Sequence, residues 1–106
     1  MNMFNVLNNH NINEKIKEYY KTEGAVLLDV RTGEEYSKGH IPNSKNIPLQ
    51  IIDKVAAVVK NRDTELYVYC HSGARSSQAT ALLQRMGYRR VNNIGGIAAY
   101  TGRVEK

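Results

Sequence analysis

The sequence has one cysteine, no tryptophan and one phenylalanine among 106 residues. A single cysteine excludes an intramolecular disulfide and any cysteine-rich zinc cluster. Without tryptophan, the aromatic packing falls mainly to the seven tyrosines. Long apolar runs are missing too. Val55 to Val59 and Leu66 to Cys70 are five residues each, against the roughly 20 that a bilayer-spanning helix requires. The first ten residues are rich in asparagine and lack the apolar stretch of a signal peptide. These absences make a soluble, cytoplasmic chain the expectation, with no membrane partner.

Charge of one sign is not concentrated anywhere. The formal net charge is +5, but Lys15, Lys17, Lys21, Lys38, Lys45, Lys54, Lys60, Arg85, Arg89 and Arg90 are scattered. No block of basic residues or nucleic-acid motif accompanies them. A solvated basic surface is the plain reading, and nucleic acid is not an expected partner; a small anionic substrate is compatible with the charge. The apolar fraction of 42% and charged fraction of 24% are those of a globular protein. The length fits a single domain over residues 1–106.

Two periodicities alternate along the chain. Residues 3–7 read as a short first strand. Ile12, Ile16, Tyr19 and Tyr20 repeat at helical spacing to about Thr22, and Gly24 breaks the helix. Residues 25–30 form an apolar run suited to a buried strand. Thr32 to Tyr36 open a short helix stopped by Gly39, and residues 45–47 make a brief strand before Pro48. Ile52, Val55, Ala56 and Val59, widened by Ile51 and Val58, predict a second helix. Leu66 to Cys70 read as a strand, then Ala79, Leu82, Leu83 and Met86 as one face of a helix ended by Gly87. Residues 90–94 give a last strand, Gly95-Gly96 a turn, and Ile97 to Tyr100 a closing helical turn. Strands separated by helices imply crossover connections, hence a mostly parallel α/β sheet with helices on both faces.

A lone cysteine is more often a small buried hydrophobe than a nucleophile, so the neighbours of Cys70 decide its reading. It ends a central strand, and His71-Ser72-Gly73-Ala74-Arg75-Ser76-Ser77 follow before a helix. Open α/β sheets bind ligands at this edge. A tight strand-to-helix loop turns backbone N–H groups inward, and with the helix N-terminus they form an anion cradle that favours thiolate over thiol. Gly73 suits a position where a side chain would obstruct the loop. Arg75 offers bidentate donors to an oxyanion or anchors the loop to a carboxylate. Ser76 and Ser77 are N-cap candidates. Asp29 and Arg31, at the end of a neighbouring strand, are expected to give structural support, with Asp29 holding Arg75 or Arg31. His40 fits a hydrogen-bonded structural role, and His71 is expected to face solvent.

Several segments together resemble a rhodanese-like domain. They are Leu28-Asp29-Val30-Arg31 with Glu34-Glu35-Tyr36, then Gly39-His40-Ile41-Pro42-Asn43-Ser44 and Asn46-Ile47-Pro48, then Tyr69 to Ser76, and finally Val91 to Tyr100 with Gly95-Gly96. The likeness spans roughly residues 12–103. It departs at Tyr100, which stands near a tryptophan common in the family. The resemblance implies a five-stranded parallel sheet flanked by helices on both faces. It also implies sulfurtransferase chemistry. Cys70 would take sulfane sulfur from thiosulfate or a persulfide donor and pass it to cyanide or a thiol, including a protein thiol, with no metal and no organic cofactor. Residues 71–76 would bind the anionic donor. Four residues separate Cys70 from Arg75, one fewer than in related cysteine-dependent phosphatases, and Tyr69 stands where many of those have histidine. Both features favour sulfur over phosphate. A phosphatase or arsenate reductase, and a noncatalytic interaction module of the same fold, are the alternatives.

Overall fold

The computed structural model describes residues 11–106. The chain runs from helix α1 (Ile12–Lys21) to strand β1 (Val26–Asp29), helix α2 (Gly33–Lys38) and the short strand β2 (Lys45–Asn46). A 3-10 helix (Leu49–Lys54) then leads into one α-helical turn, α3 (Val55–Val58). Strand β3 (Glu65–Cys70), helix α4 (Ala74–Arg85), strand β4 (Arg90–Gly96) and a 3-10 turn (Ile97–Ala99) complete it. The strands pair in parallel in the order β2-β1-β3-β4. Their carboxyl ends therefore share one edge, with β3 between β1 and β4.

Side chains alternate across the sheet, as strand geometry requires. Leu66, Val68 and Cys70 of β3 join Leu28, Val30, Ile52, Val55, Val59, Ala79 and Leu83 on one face, beneath α3 and α4. Tyr67 and Tyr69 join Leu27, Ile41 and Ile94 on the other, against Ile12 and Ile16 of α1. Helical layers thus cover both faces, and β3 is buried from Leu66 to Cys70. No helix among the described residues is long and apolar enough to cross a membrane.

Three expectations change. The sheet has four strands among the described residues where five were expected; the expected strand at 3–7 lies outside those residues. The stretch 51–59 is not one helix. It starts as a 3-10 helix after Pro48, and the backbone breaks at Ile51 (φ −123°, ψ 33°). Ile52, Val55 and Val59 are buried there, but Ile51 and Val58, which seemed to widen the stripe, are exposed. Finally, Gly95-Gly96 is not a turn but the end of β4. Val68 pairs with Asn93 and Tyr69 with Gly95, so Ile94 is an extra residue, a β-bulge that re-aims the strand end toward the loop after Cys70.

Candidate active site

Cys70 is carried to the carboxyl edge of the sheet by the most enclosed strand. The chain then reverses within three residues. Gly73 makes that possible with a φ of 109°, the left-handed region that glycine alone adopts at little cost, and α4 begins immediately after it. The helix starts at Ala74, earlier than serine capping would place it, and no side chain caps it. Ser76 lies instead in the first turn, buried and facing the sulfur.

The loop folds around Sγ. The Gly73 N–H donates to it at 3.0 Å, and the Ser76 Oγ is 3.5 Å away. Cys70 is only 1% exposed. Burial pushes its thiol up, but hydrogen bonds from the Ser76 hydroxyl and from the backbone N–H groups of Ser76, Gly73 and Ser72 outweigh that and leave it below the ordinary value. His71, Ser72 and Ala74 are exposed above the sulfur. A cavity of about 560 Å³ opens beside the loop, lined by His71, Ser72 and Gly73 from the loop and by Asn93, Gly95 and Gly96 from β4. Cys70 is not part of that lining. The His71 carbonyl accepts the Ala98 N–H at 3.1 Å, which ties the loop to the segment after β4.

Arg75 lies over the next part of the edge and is anchored there. Its Nη1 and Nη2 donate to Glu35 Oε1 and Oε2 at 2.8 and 2.9 Å. Glu35 also closes the N-terminus of α2, where its Oε1 accepts from the Thr32 N–H at 3.0 Å while the Thr32 Oγ1 accepts the Glu35 N–H at 3.2 Å. The Arg75 hydrogen bond is the main influence holding the Glu35 carboxyl down at about 2; burial opposes it and Thr32 adds to it. Of the two roles open to Arg75, the structure shows the carboxylate anchor. Glu35 was not singled out in the sequence, although the Thr32-x-x-Glu35 capping box is a recognisable signature.

Asp29 does not reach Arg75; it holds Arg31. The Arg31 Nε lies 3.0 Å from both carboxylate oxygens, and Nη2 donates to Oδ2 at 2.6 Å. Arg31 Nη2 also donates to the Gly39 carbonyl at 2.8 Å. This buried pair braces the 39–44 loop at Gly39. Tyr69 completes the brace, its hydroxyl accepting the Ile41 N–H at 3.0 Å and lying 3.1 Å from Ser44 Oγ. His40 stacks on Tyr36 at 3.7 Å, with Nδ1 2.9 Å from the Tyr36 carbonyl oxygen, a structural placement as expected. Among the described residues no three His, Cys, Asp or Glu side chains are grouped to hold a metal ion.

The geometry therefore provides a buried thiol that meets the Gly73 N–H and the Ser76 hydroxyl, with the loop arginine held to one side by a carboxylate. The family described as rhodanese-like domain matches residues 13–103. A sulfurtransferase of Allochromatium vinosum is 37% identical over 100 residues, covering 92% of this chain and 89% of that protein. The thiosulfate sulfurtransferase PspE of Escherichia coli is 38% identical over 71 residues, 66% of this chain and 68% of that one. A solved structure described as a rhodanese with anions from E. coli superposes with a TM-score of 0.73 at 34% identity, over 77% of this chain and 98% of that chain.

Proposed function

This chain belongs to the rhodanese-like family, and on that footing we propose that it is a sulfurtransferase that carries sulfane sulfur on Cys70. In the first half-reaction the Cys70 thiolate attacks the outer sulfur of thiosulfate or of a persulfide. A new S–S bond forms, the donor's own S–S bond breaks, and sulfite or a thiolate leaves with the electron pair. In the second, cyanide or a thiol attacks the outer sulfur of the Cys70 persulfide. Thiocyanate or a new persulfide departs, and the Cys70 thiolate is restored. No net oxidant or reductant is needed.

Each part of the site has a role in that scheme. The Gly73 N–H already donates to the sulfur, and the N–H groups of Ser72 and Ser76 favour its anionic form. After loading, the loop 71–76 cradles the charge on the outer sulfur, with the N-terminus of α4 adding its positive end. Arg75 is bound to Glu35 through both terminal nitrogens, so the cradle is made of backbone donors and α4 is fixed in place. With four residues between Cys70 and Arg75, the loop suits a single sulfur atom better than a phosphate. Asp29 and Arg31 support the loop beneath. The observation that carries the reading is the Gly73 N–H to Cys70 Sγ contact at 3.0 Å, in a loop that acidifies a buried thiol.

Intact mass after incubation with thiosulfate tests it. A gain of about 32 Da, removed by cyanide and absent in Cys70→Ser, is the expected result, with the variant as well folded as the parent. Turnover retained by Cys70→Ser overturns the mechanism. No gain with thiosulfate or with an organic persulfide makes the domain a binding module, and hydrolysis of p-nitrophenyl phosphate makes it a phosphatase.

A further inference from the structure

Ser76 has one hydroxyl hydrogen and several acceptors around it. Its Oγ is 2.7 Å from Asn93 Oδ1, 3.1 Å from the Gly73 carbonyl oxygen, 3.4 Å from that of Gly95 and 3.5 Å from Cys70 Sγ. The orientation of the Asn93 amide is fixed, because Oδ1 also accepts the Gly95 N–H at 3.1 Å. Asn93 therefore faces Ser76 as an acceptor only. With Cys70 protonated, the directions are consistent along the chain: S–H to Ser76 Oγ, Ser76 O–H to Asn93 Oδ1. Removing the thiol proton breaks that order. Sγ becomes an anion that accepts, and it now competes for the Ser76 hydrogen with Asn93 Oδ1, the nearest of the other acceptors.

The geometry points to Asn93 as a positioning residue that holds the Ser76 hydrogen while Cys70 is protonated or sulfur-loaded and yields it when Sγ is a thiolate. A charge-assisted hydrogen bond is stronger than a neutral one, so the hydroxyl turns to the thiolate. A sulfur-loaded Sγ is a neutral, weak acceptor, and the hydroxyl returns to Asn93. When a thiophile removes the outer sulfur, the hydroxyl turns again and stabilises the departing thiolate. Asn93 keeps the hydroxyl oriented between these steps, and the Ile94 bulge places it there. The inference takes from the proposed function only that Cys70 reacts as a thiolate. Thiol titration needs no sulfur donor, so a failure of sulfur transfer and a failure of this inference are seen separately.

Other charges near Cys70 bear on such a titration. Arg75 of α4 acts on Cys70, with Glu35 of α2 bound to it. His71 lies in the loop, and Asp29 is paired to Arg31 at the end of β1. Strand β4 contributes Asn93, Gly95 and Gly96, all uncharged. Variants at Asn93 and Ser76 leave every one of the charged groups in place.

The experiment is the pH profile of Cys70 alkylation by iodoacetamide, with circular dichroism to confirm folding. Asn93→Leu is expected to shift the midpoint down by about half a unit to one unit, roughly three- to tenfold in thiolate fraction. Ser76→Ala is expected to shift it up by a similar amount. In the Ser76→Ala background, Asn93→Leu is expected to add nothing, because there is no hydroxyl left to release. An upward or absent shift in Asn93→Leu overturns the inference, as does an equal downward shift with and without Ser76. If Asn93→Leu does not fold, Asn93→Asp carries the test. It retains the acceptor and adds charge, so its upward shift must be larger with Ser76 present than with alanine there; equal shifts overturn the inference.

Discussion

Gly96 has an ordinary extended backbone (φ −130°, ψ 147°), so its identity has nothing to do with conformational freedom. A Cβ at this position would overlap the carbonyl group of His71 and the Cα of Ser72. Both are backbone atoms of the loop after Cys70 and cannot rotate aside. Gly96→Ala must therefore move the loop or the end of β4. It is expected to cost about 3 kcal/mol, a fall in Tm of more than about 10 °C, and to weaken persulfide formation in the mass assay. The opposite holds for Gly73, where the nearest atom to an added Cβ is 3.7 Å away and the positive φ is the constraint. The sequence identified Gly73 for its place after Cys70. It misread Gly95-Gly96, because a glycine pair signals a turn as readily as a close approach of two backbones. Asn93 gave no signal either: its importance comes from a bulge that no local pattern encodes.

Most elements were legible from spacing alone. Residues 12–22 and 79–86 carry apolar positions three and four apart over at least two turns, and both are helices. The stretch 49–58 shows the limit of that signal. Ile52 and Val55 are three apart, which a 3-10 helix satisfies as well as an α-helix does. Burial pattern records which residues face the core, not which carbonyl each N–H reaches. Between elements the sequence was weaker still. Asp29 was paired with Arg75 or Arg31 as alternatives, and the fold chose Arg31 and brought Glu35 of α2 to Arg75. Tyr69 is another such link, joining β3 to the 39–44 loop. Its burial, with the nearby Asp29 carboxylate, pushes its hydroxyl well up, so it stays protonated. Tyr69→Phe removes the acceptor of the buried Ile41 N–H and is expected to cost about 1–3 kcal/mol, measurable by urea unfolding, with Cys70 alkylation changed little.

At the scale of the molecule, the Glu35–Arg75 ion pair couples acid stability to the site. A carboxyl held at about 2 in the folded chain and near 4.5 otherwise contributes stability that is present above pH 4.5 and lost as pH falls through 2. Glu35→Gln keeps the helix cap but has no such charge. The parent is expected to exceed it in stability at neutral pH, and the two unfolding curves to converge as pH approaches 2. The side chains are about one-third exposed, so solvent screening limits the difference to about 1 kcal/mol or less, and added salt reduces it further. A gap that persists unchanged at pH 2 would assign the effect to packing.

The all-parallel sheet has a consequence for how the chain acquires its reactivity. Val26 pairs with Leu66, and Glu65 with Arg90; every strand next to β3 is reached only through a crossover, never through a hairpin. Sheet formation therefore waits on the closure of long loops, which slows folding relative to a chain built from local contacts. The loop around Cys70 is tied to Asn93 of β4 and to Ala98 after it, so its full set of contacts needs β4 docked on β3, whereas in the unfolded chain Cys70 is a thiol in water. The reactivity of Cys70 is expected to change as the sheet assembles, and the labelling rate of that one cysteine during refolding serves as a clock for it.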